Sequence, residues 1–529
     1  MSIDVDVTAN SDVEITVVSD LHIGAGRRQE TASFSRHEEF FYDVEFSLFV
    51  DHLIQNSKTS GKPHILVLNG DVMDFLSVTD VPVREEIESM NIPVTRNEMK
   101  FGLGSSENKA LWKTRIILKG HSDFFMALAR FLMEGHRVVY IRGNHDLEIY
   151  WEKVKTELET FLKNCLIKLG STDGSEISGW EVRQWFFFEN GVYIEHGNQY
   201  DETNVITSPL CPLLPDGAYG GKELLLDYPV GSLFARFVYG PIRGLDPYRT
   251  HVISLAQYLS VMRTYNLWDF IRTLHLNFPF FLRAIRNSLE TGGTKAREFL
   301  KRHIIERKTR AQLAGINEKQ LKKIDSLRAL PLGHSGYEIF IRMFRPFLIQ
   351  MIILFFLVIT SIFGWILTFT TLSSILSHSV FGKASTISVL AVLTFVGIFF
   401  LFAKIGKAIY SYEDPLIINT RKNAGKISEI IKPRVIVMGH THVCEKVIFP
   451  NGCIYINTGT WIPYPGPWDL LKQRARQFTF CRISSDNYEL LQWDPVLRLP
   501  VPPLILENSR KNPWEKVIGD DFIPPEEKN

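Results

Sequence analysis

Cysteine is scarce and unmatched in this chain. Five residues of 529, Cys165, Cys211, Cys444, Cys453 and Cys481, form an odd and scattered set without a Cys-x-x-Cys pair. That excludes a thiolate zinc cage, argues against a disulfide framework and fits a reducing compartment. An excess of either charge is also missing. With 59 Lys and Arg against 58 Asp and Glu the formal net charge is +1, so composition gives no whole-chain sign of a nucleic-acid partner. Residues 1–14 are acidic and lack the basic flank and apolar core of a secretory leader.

Two stretches lack charge altogether. Residues 347–372 contain no charged side chain, and after Lys383 neither do residues 384–403. Each approaches or exceeds the ~20 apolar residues that cross a bilayer core as a helix. The pattern predicts a two-helix transmembrane hairpin, 347–372 and 384–405, joined by a short loop holding one Lys. Arg342 and Arg345 precede it, and Lys404, Lys407, Arg421 and Lys422 follow. By the positive-inside tendency both flanks are cytoplasmic. The expectation is a two-pass membrane protein with its catalytic part and both termini on the cytoplasmic side.

What the chain does have is a series of polar motifs, each closing a short apolar run. Val17-Val18-Ser19 leads into Asp20-Leu21-His22. Residues 64–68 lead to Gly70-Asp71-Val72-Met73-Asp74, residues 137–141 to Gly143-Asn144-His145-Asp146, residues 192–194 to Glu195-His196-Gly197, and residues 435–438 to Gly439-His440-Thr441-His442. The runs read as strands. In layered α/β folds ligands gather where strands end, so five such motifs can converge on one point. Mixed carboxylate, imidazole and amide donors suit two borderline divalent ions, Mn²⁺ first, with Fe or Zn²⁺ as alternatives; thiolates would indicate structural zinc and an all-oxygen set Ca²⁺ or Mg²⁺. A bridging carboxylate can hold two ions ~3.5–4 Å apart, close enough to activate a shared water. Motifs on both sides of the hairpin share one centre only if an even number of crossings separates them, and two crossings satisfy that.

Taken in this order, the motifs resemble those of the calcineurin-like metallophosphoesterase superfamily over residues 13–201 and 430–495. The resemblance implies an α/β, four-layer sandwich of two mixed β-sheets flanked by helices, with a two-metal centre at one rim. By position, one metal takes Asp20, His22, Asp71 and His442. The other takes Asp71, Asn144, His196 and His440, with Asp71 as the bridge. His145 is then the acid facing the leaving oxygen, and Asp146 orients its ring. Asp74 reads as structural, its carboxylate bonding a backbone amide of its own loop. The implied activity is hydrolysis of a phosphate ester or pyrophosphate by a metal-bridging hydroxide. Gly70-Asp71-Val72-Met73-Asp74-Phe75 and His196-Gly197-Asn198-Gln199-Tyr200-Asp201 look most like the branch containing UDP-2,3-diacylglucosamine pyrophosphohydrolase, which acts on a nucleotide-linked lipid at a membrane surface. That enzyme carries Arg where this chain has His145, and it lacks so large an insert. Reaction type and site therefore carry over, and substrate does not.

Organisation follows from these signals. Residues 1–205 and 411–500 form the two parts of the phosphoesterase domain, 206–345 a helical cap insert, 346–410 the membrane hairpin and 501–529 a Pro-rich tail. Within the first part the spacing predicts helices over 37–55, 107–135 and 151–169, a strand through 180–188, and an irregular loop over 78–106. Residues 207–248 read as a loop-built rim and 249–345 as several helices. Between residues 234 and 345 twenty Lys and Arg accompany eight acidic residues, with aromatics interleaved, which suits anionic lipid headgroups. Arg236, Arg243 and Arg249 are candidate phosphate contacts, because guanidinium forks match phosphate oxygens. The expected partners are a lipid-linked phosphate substrate and membrane lipids, without nucleic acid. Soluble nucleotides or phosphoproteins as substrates, or a non-catalytic adaptor on the same fold, are the alternatives.

Overall fold

Alternate residues of each buried strand face two different cores, and that period of two builds the molecule. The computed structural model describes residues 13–28, 33–35, 37–171, 177–214, 223–239, 294–331, 415–462, 477–485 and 487–503, with short helical pieces among 272–282, 352–371 and 394–401. The strands are β1 (Glu14–Val18), β2 (His64–Asn69), β3 (Arg137–Ile141), β4 (Trp180–Arg183), β5 (Phe186–Glu189), β6 (Val192–Glu195), β7 (Leu213–Leu214), β8 (Leu225–Leu226), β9 (Val435–Met438), β10 (Glu445–Ile448), β11 (Ile454–Asn457), β12 (Thr479–Ser484), β13 (Asn487–Asp494) and β14 (Leu499–Val501). The helices used below are α1 (Asp43–Ser60), α2 (Arg84–Met90), α3 (Arg96–Phe101), α4 (Glu107–Gly120), α5 (Ser122–Met133), α6 (Glu152–Lys168), α7 (Val230–Phe234), α8 (Thr294–Leu313), α9 (Glu318–Asp325) and α10 (Pro415–Ile431).

One sheet has the order β14-β13-β12-β1-β2-β3-β4 and the other β10-β11-β9-β6-β5. Both are mixed. β1 to β4 run parallel with β12 antiparallel beside β1, and β6, β9 and β11 run parallel with antiparallel β5 and β10 at the edges. Ile15, Val17, Ile65, Val67, Val139 and Ile141 meet Val192, Ile194, Val435, Val437 and Ile456 between the sheets. The intervening residues, Val18, Leu66, Leu68, Val138 and Tyr140, turn the other way onto α1, α4, α5 and α6. On the far side Tyr193, Ile436, Met438 and Tyr455 pack with Leu321, Ile324, Ala424 and Ile427 of α9 and α10. Helices, sheet, sheet and helices make four layers. Each fully buried Val, Leu, Ile or Phe adds roughly 1.5–3 kcal/mol of apolar burial.

Several expectations need correction. The helix expected over 37–55 begins later, at Asp43, because Glu38 accepts the backbone amides of Gly24, Gly26 and Phe40 and holds its own segment as loop. The stretch 78–106 is not irregular throughout: it contains α2 and α3, and α3 opens on a capping box in which Thr95 and Glu98 bond each other's amides. Residues 107–135 are largely helical as expected, in two helices that meet at His121, a buried ring held by Asp43 and Glu38. The run 180–188 divides at Gln184-Trp185 and contributes one strand to each sheet. The rim 207–248 includes the β7–β8 hairpin and α7. β14 extends past Pro500 into the expected tail.

The proposed hairpin falls mostly outside the described residues, as do Arg243 and Arg249. Residues 355–367 are helical, and Phe355, Phe356, Ile362, Phe363 and Leu367 are exposed on them. Among the described residues no helix is long and apolar enough to cross a membrane.

Candidate metal centre

The motifs converge because β1, β2, β3, β6 and β9 all end at the same rim. Asp20 N donates to Gly70 O at 3.1 Å and His22 N to Asp71 O at 2.9 Å, which stitches the first two motifs together. Asn144 N and His145 N both donate to Asp71 Oδ1 at 2.8 Å, adding the third. His440 N donates to Asp20 Oδ2 at 3.0 Å, adding the last. Five of these residues hold left-handed backbones: Asp20 (φ 53°), His22 (51°), Asp71 (49°), His440 (68°) and His442 (56°). Such angles are uncommon outside glycine and gather where function over-determines the chain. Gly70, at φ 78°, leaves room that a Cβ would take from the His196 ring, 2.4 Å away.

Among the described residues three donor groups have donor atoms within 4.8 Å of one another: Asp20, His22 and His442, and Asp71, His196 and His440, both fully buried, and His22, Asp74 and the half-buried His145. His22 Nε2 lies 3.2 Å from His442 Nε2, and His442 Nε2 lies 3.1 Å from Asp20 Oδ1. His196 donates Nδ1–H to Asn69 O at 2.9 Å, which leaves Nε2 facing Asp71 Oδ2 at 3.1 Å. Asn144 Oδ1 is buried without a hydrogen-bond partner. Imidazole nitrogens this close together, and at the same rim an amide oxygen buried without a partner, are donors that fit divalent cations.

The buried carboxylates and rings also act strongly on one another. Burial alone would raise the Asp20 carboxyl, yet His442 and His196 bring it down to about 2. Burial opposes charge on His196, and Asp71 and Asp20 overcome it, raising the ring to about 9. His145 follows the same rule: against burial, Asp74 and Asp71 lift it to about 10.

The carboxylate that faces the His145 ring is Asp74, with Oδ2 3.2 Å from Nδ1 and also 3.5 Å from His22 Nδ1. This corrects the expected role of Asp146. Asp146 instead accepts from Val72 N, Gly143 N and the Tyr140 hydroxyl, and so ties the β2 and β3 loops together. Asp74 also keeps its structural bonds, its Oδ1 accepting from Leu76 N and Ser77 N. Arg236 does not join the donor groups. Its Nη2 donates to Gly102 O at 2.6 Å and its guanidinium stands 5.4 Å over the Phe237 ring.

Three neighbours escaped the sequence reading. Glu39 Oε2 stands 3.9 Å from His22 Nδ1, its carboxyl pushed up to about 8, mainly by burial. Ser232 Oγ of α7 reaches Asn144 O at 3.4 Å, bringing the cap to the rim. Asp201 Oδ2 lies 3.1 Å from His440 Nε2. Only Asp201 carried a signal, lying five residues past His196 in a phrase already singled out.

Two buried mixed donor groups at the carboxyl rim of a four-layer α/β sandwich form a site that can hold divalent cations. The comparison with known families agrees: residues 13–228 match the calcineurin-like phosphoesterase family, and that segment is a calcineurin-like phosphoesterase domain. Neither a curated protein nor a solved structure matches the chain. His440 and His442 lie beyond the matched segment and are brought to the rim by β9.

Proposed function

We propose that this chain is a membrane-tethered, two-metal phosphoesterase that hydrolyses a phosphate ester or pyrophosphate of a lipid-linked substrate. The observation that carries the reading is the pair of fully buried donor groups at one rim with the His145 imidazole beside them, its Nδ1 facing Asp74. Asp20, His22 and His442 would hold one ion, His196, His440 and Asn144 the other, with Asp71 between them. When bound, such ions supply an activated water and neutralise charge on phosphoryl oxygens. The protein's own part is placement and proton supply. His145, whose Nδ1 faces Asp74 and whose charged form Asp74 and Asp71 favour, would present Nε2–H to a leaving oxygen. Asp146 keeps Val72 and Gly143 in register, so the loops carrying Asp71 and Asn144 keep their spacing.

Membrane tethering rests on the two charge-free stretches and on the exposed apolar helix at 355–367. The catalytic part and both termini would then be cytoplasmic, and the basic cap would meet anionic headgroups. Hydrolysis of matched lipid-linked and short water-soluble esters by the full chain in vesicles tests the substrate class. A clear excess of kcat/KM on the lipid ester is expected. Equal turnover of both removes the lipid preference and favours soluble nucleotides or phosphoproteins. No hydrolysis of either, with Asp71→Asn still functional in cells, favours an adaptor.

A further inference from the structure

Besides the Ser232 contact, the cap insert meets the metal-facing rim through the loop that follows His196. That loop carries Asp201, whose Oδ2 faces His440 Nε2. Asp201 also closes the loop on itself: Oδ1 accepts from Thr203 N at 2.8 Å and Thr203 Oγ1 at 2.7 Å, and Oδ2 from Asn204 Nδ2 at 2.7 Å. The segment after α9 holds the loop from outside. Ala329 N donates to Gln199 O at 2.8 Å, and Arg328 Nη1 donates to Ile206 O and Thr207 O, both at 3.0 Å. Arg328 is itself aimed by Asp325, which accepts its Nε–H at 2.7 Å. Asp325 is buried and also takes Arg307 at 2.5 Å and faces His303 Nε2 at 3.3 Å, so the aiming group is itself fixed from α8.

An imidazole that donates one N–H to a carboxylate has its other nitrogen free of the proton and oriented for a cation. His196 already shows the arrangement, with a backbone carbonyl taking its Nδ1–H. His440 sits 5.3 Å away, ring centroid to ring centroid, on a left-handed backbone. A carboxylate on Nε2 would direct its Nδ1 to the same centre. We infer that Asp201 is a positioning residue that sets the tautomer and ring angle of His440, and that the cap, through Arg328, holds Asp201 there. The metal centre is then completed by the insert. The inference rests on the two-metal reading proposed above.

Mn²⁺ binding to the full-length protein tests it, with thermal unfolding in EDTA as a second readout. Asp201→Asn is expected to weaken one of two Mn²⁺ ions by about 10–100-fold while the EDTA melting temperature stays put. Asp201→Glu restores part of that affinity. Arg328→Gln weakens the same ion less, and Lys301→Gln, an exposed change on α8, leaves binding unaltered. Both ions bound as tightly by Asp201→Asn as by wild type would overturn the positioning role. Wild-type affinity in Arg328→Gln would overturn the cap's part. Should Asp201→Asn fail to fold, Arg328→Gln decides, since it leaves Asp201 in place. A wild-type chain that binds no Mn²⁺ would remove the functional reading itself.

Discussion

Gly439 has no room for a methyl group. An added Cβ would stand 2.4 Å from Ser19 Oγ and 2.6 Å from Asp20 Oδ2, so Gly439→Ala should displace Asp20 and lower hydrolysis on the order of 100-fold. Steady-state kinetics beside an unchanged far-ultraviolet circular dichroism spectrum would show it. Wild-type turnover would mean that Asp20 tolerates the shift. The two aspartates near His145 should separate in the same way. Asp74→Asn is expected to lower kcat by about tenfold or more with little change in KM, because it releases the imidazole. Asp146→Asn should chiefly cost stability, about 1–3 kcal/mol, because it weakens buried bonds. Urea titration and kinetics on both variants check this, and a reversal of the two patterns would restore Asp146 as the orienter. The spacing of Asp20, His22, Asp71, Asn144, His196, His440 and His442 was legible in the chain because each follows an apolar run. Which of Asp74 and Asp146 meets the ring was not. Both are two or three residues from a ligand position, and only the turn geometry decides between them.

At the scale of elements, His121 links α1 to the break between α4 and α5. Burial disfavours its charge, but Asp43 and Glu38 raise its pKa from 6.5 to about 9. A raised cationic group contributes its full stability below the unfolded value, 6.5, and loses it as pH climbs through about 9. Wild-type unfolding free energy should therefore fall by up to about 3 kcal/mol over that window, and His121→Gln should lack most of the slope. Denaturant titrations from about pH 6 to pH 10 measure it. Equal slopes in both proteins would refute the linkage. The parallel strands were readable because short apolar runs end in turn residues, whereas the Thr95-Glu98 box lies among Pro and Gly that mask its helix signal. The division of 180–188 had no local signal. Nothing between Arg183 and Phe186 marks a crossing, and it depends on a second sheet assembled partly from residues beyond 430.

For the whole molecule, four layers follow from period-two burial in two sets of strands, and the second set is completed only after a long insert. That ordering explains why the domain's outline could be read early while its cap could not. The helices of 294–325 are placed by tertiary contacts such as Leu210 N donating to His303 Nδ1, and ten Lys and Arg against four acidic residues there give no sign of that packing. The charge-free stretches give a prediction at this scale: the full chain should stay with the membrane fraction after alkaline carbonate extraction, and removal of residues 347–405 should release it. Release of the intact chain by carbonate would contradict the tether. The central claim concerns the rim, and metal analysis of the purified chain addresses it most directly. Two transition-metal ions per wild-type chain, falling below one in Asp71→Asn, is the predicted result; equal metal content in both proteins, or none in either, would contradict it.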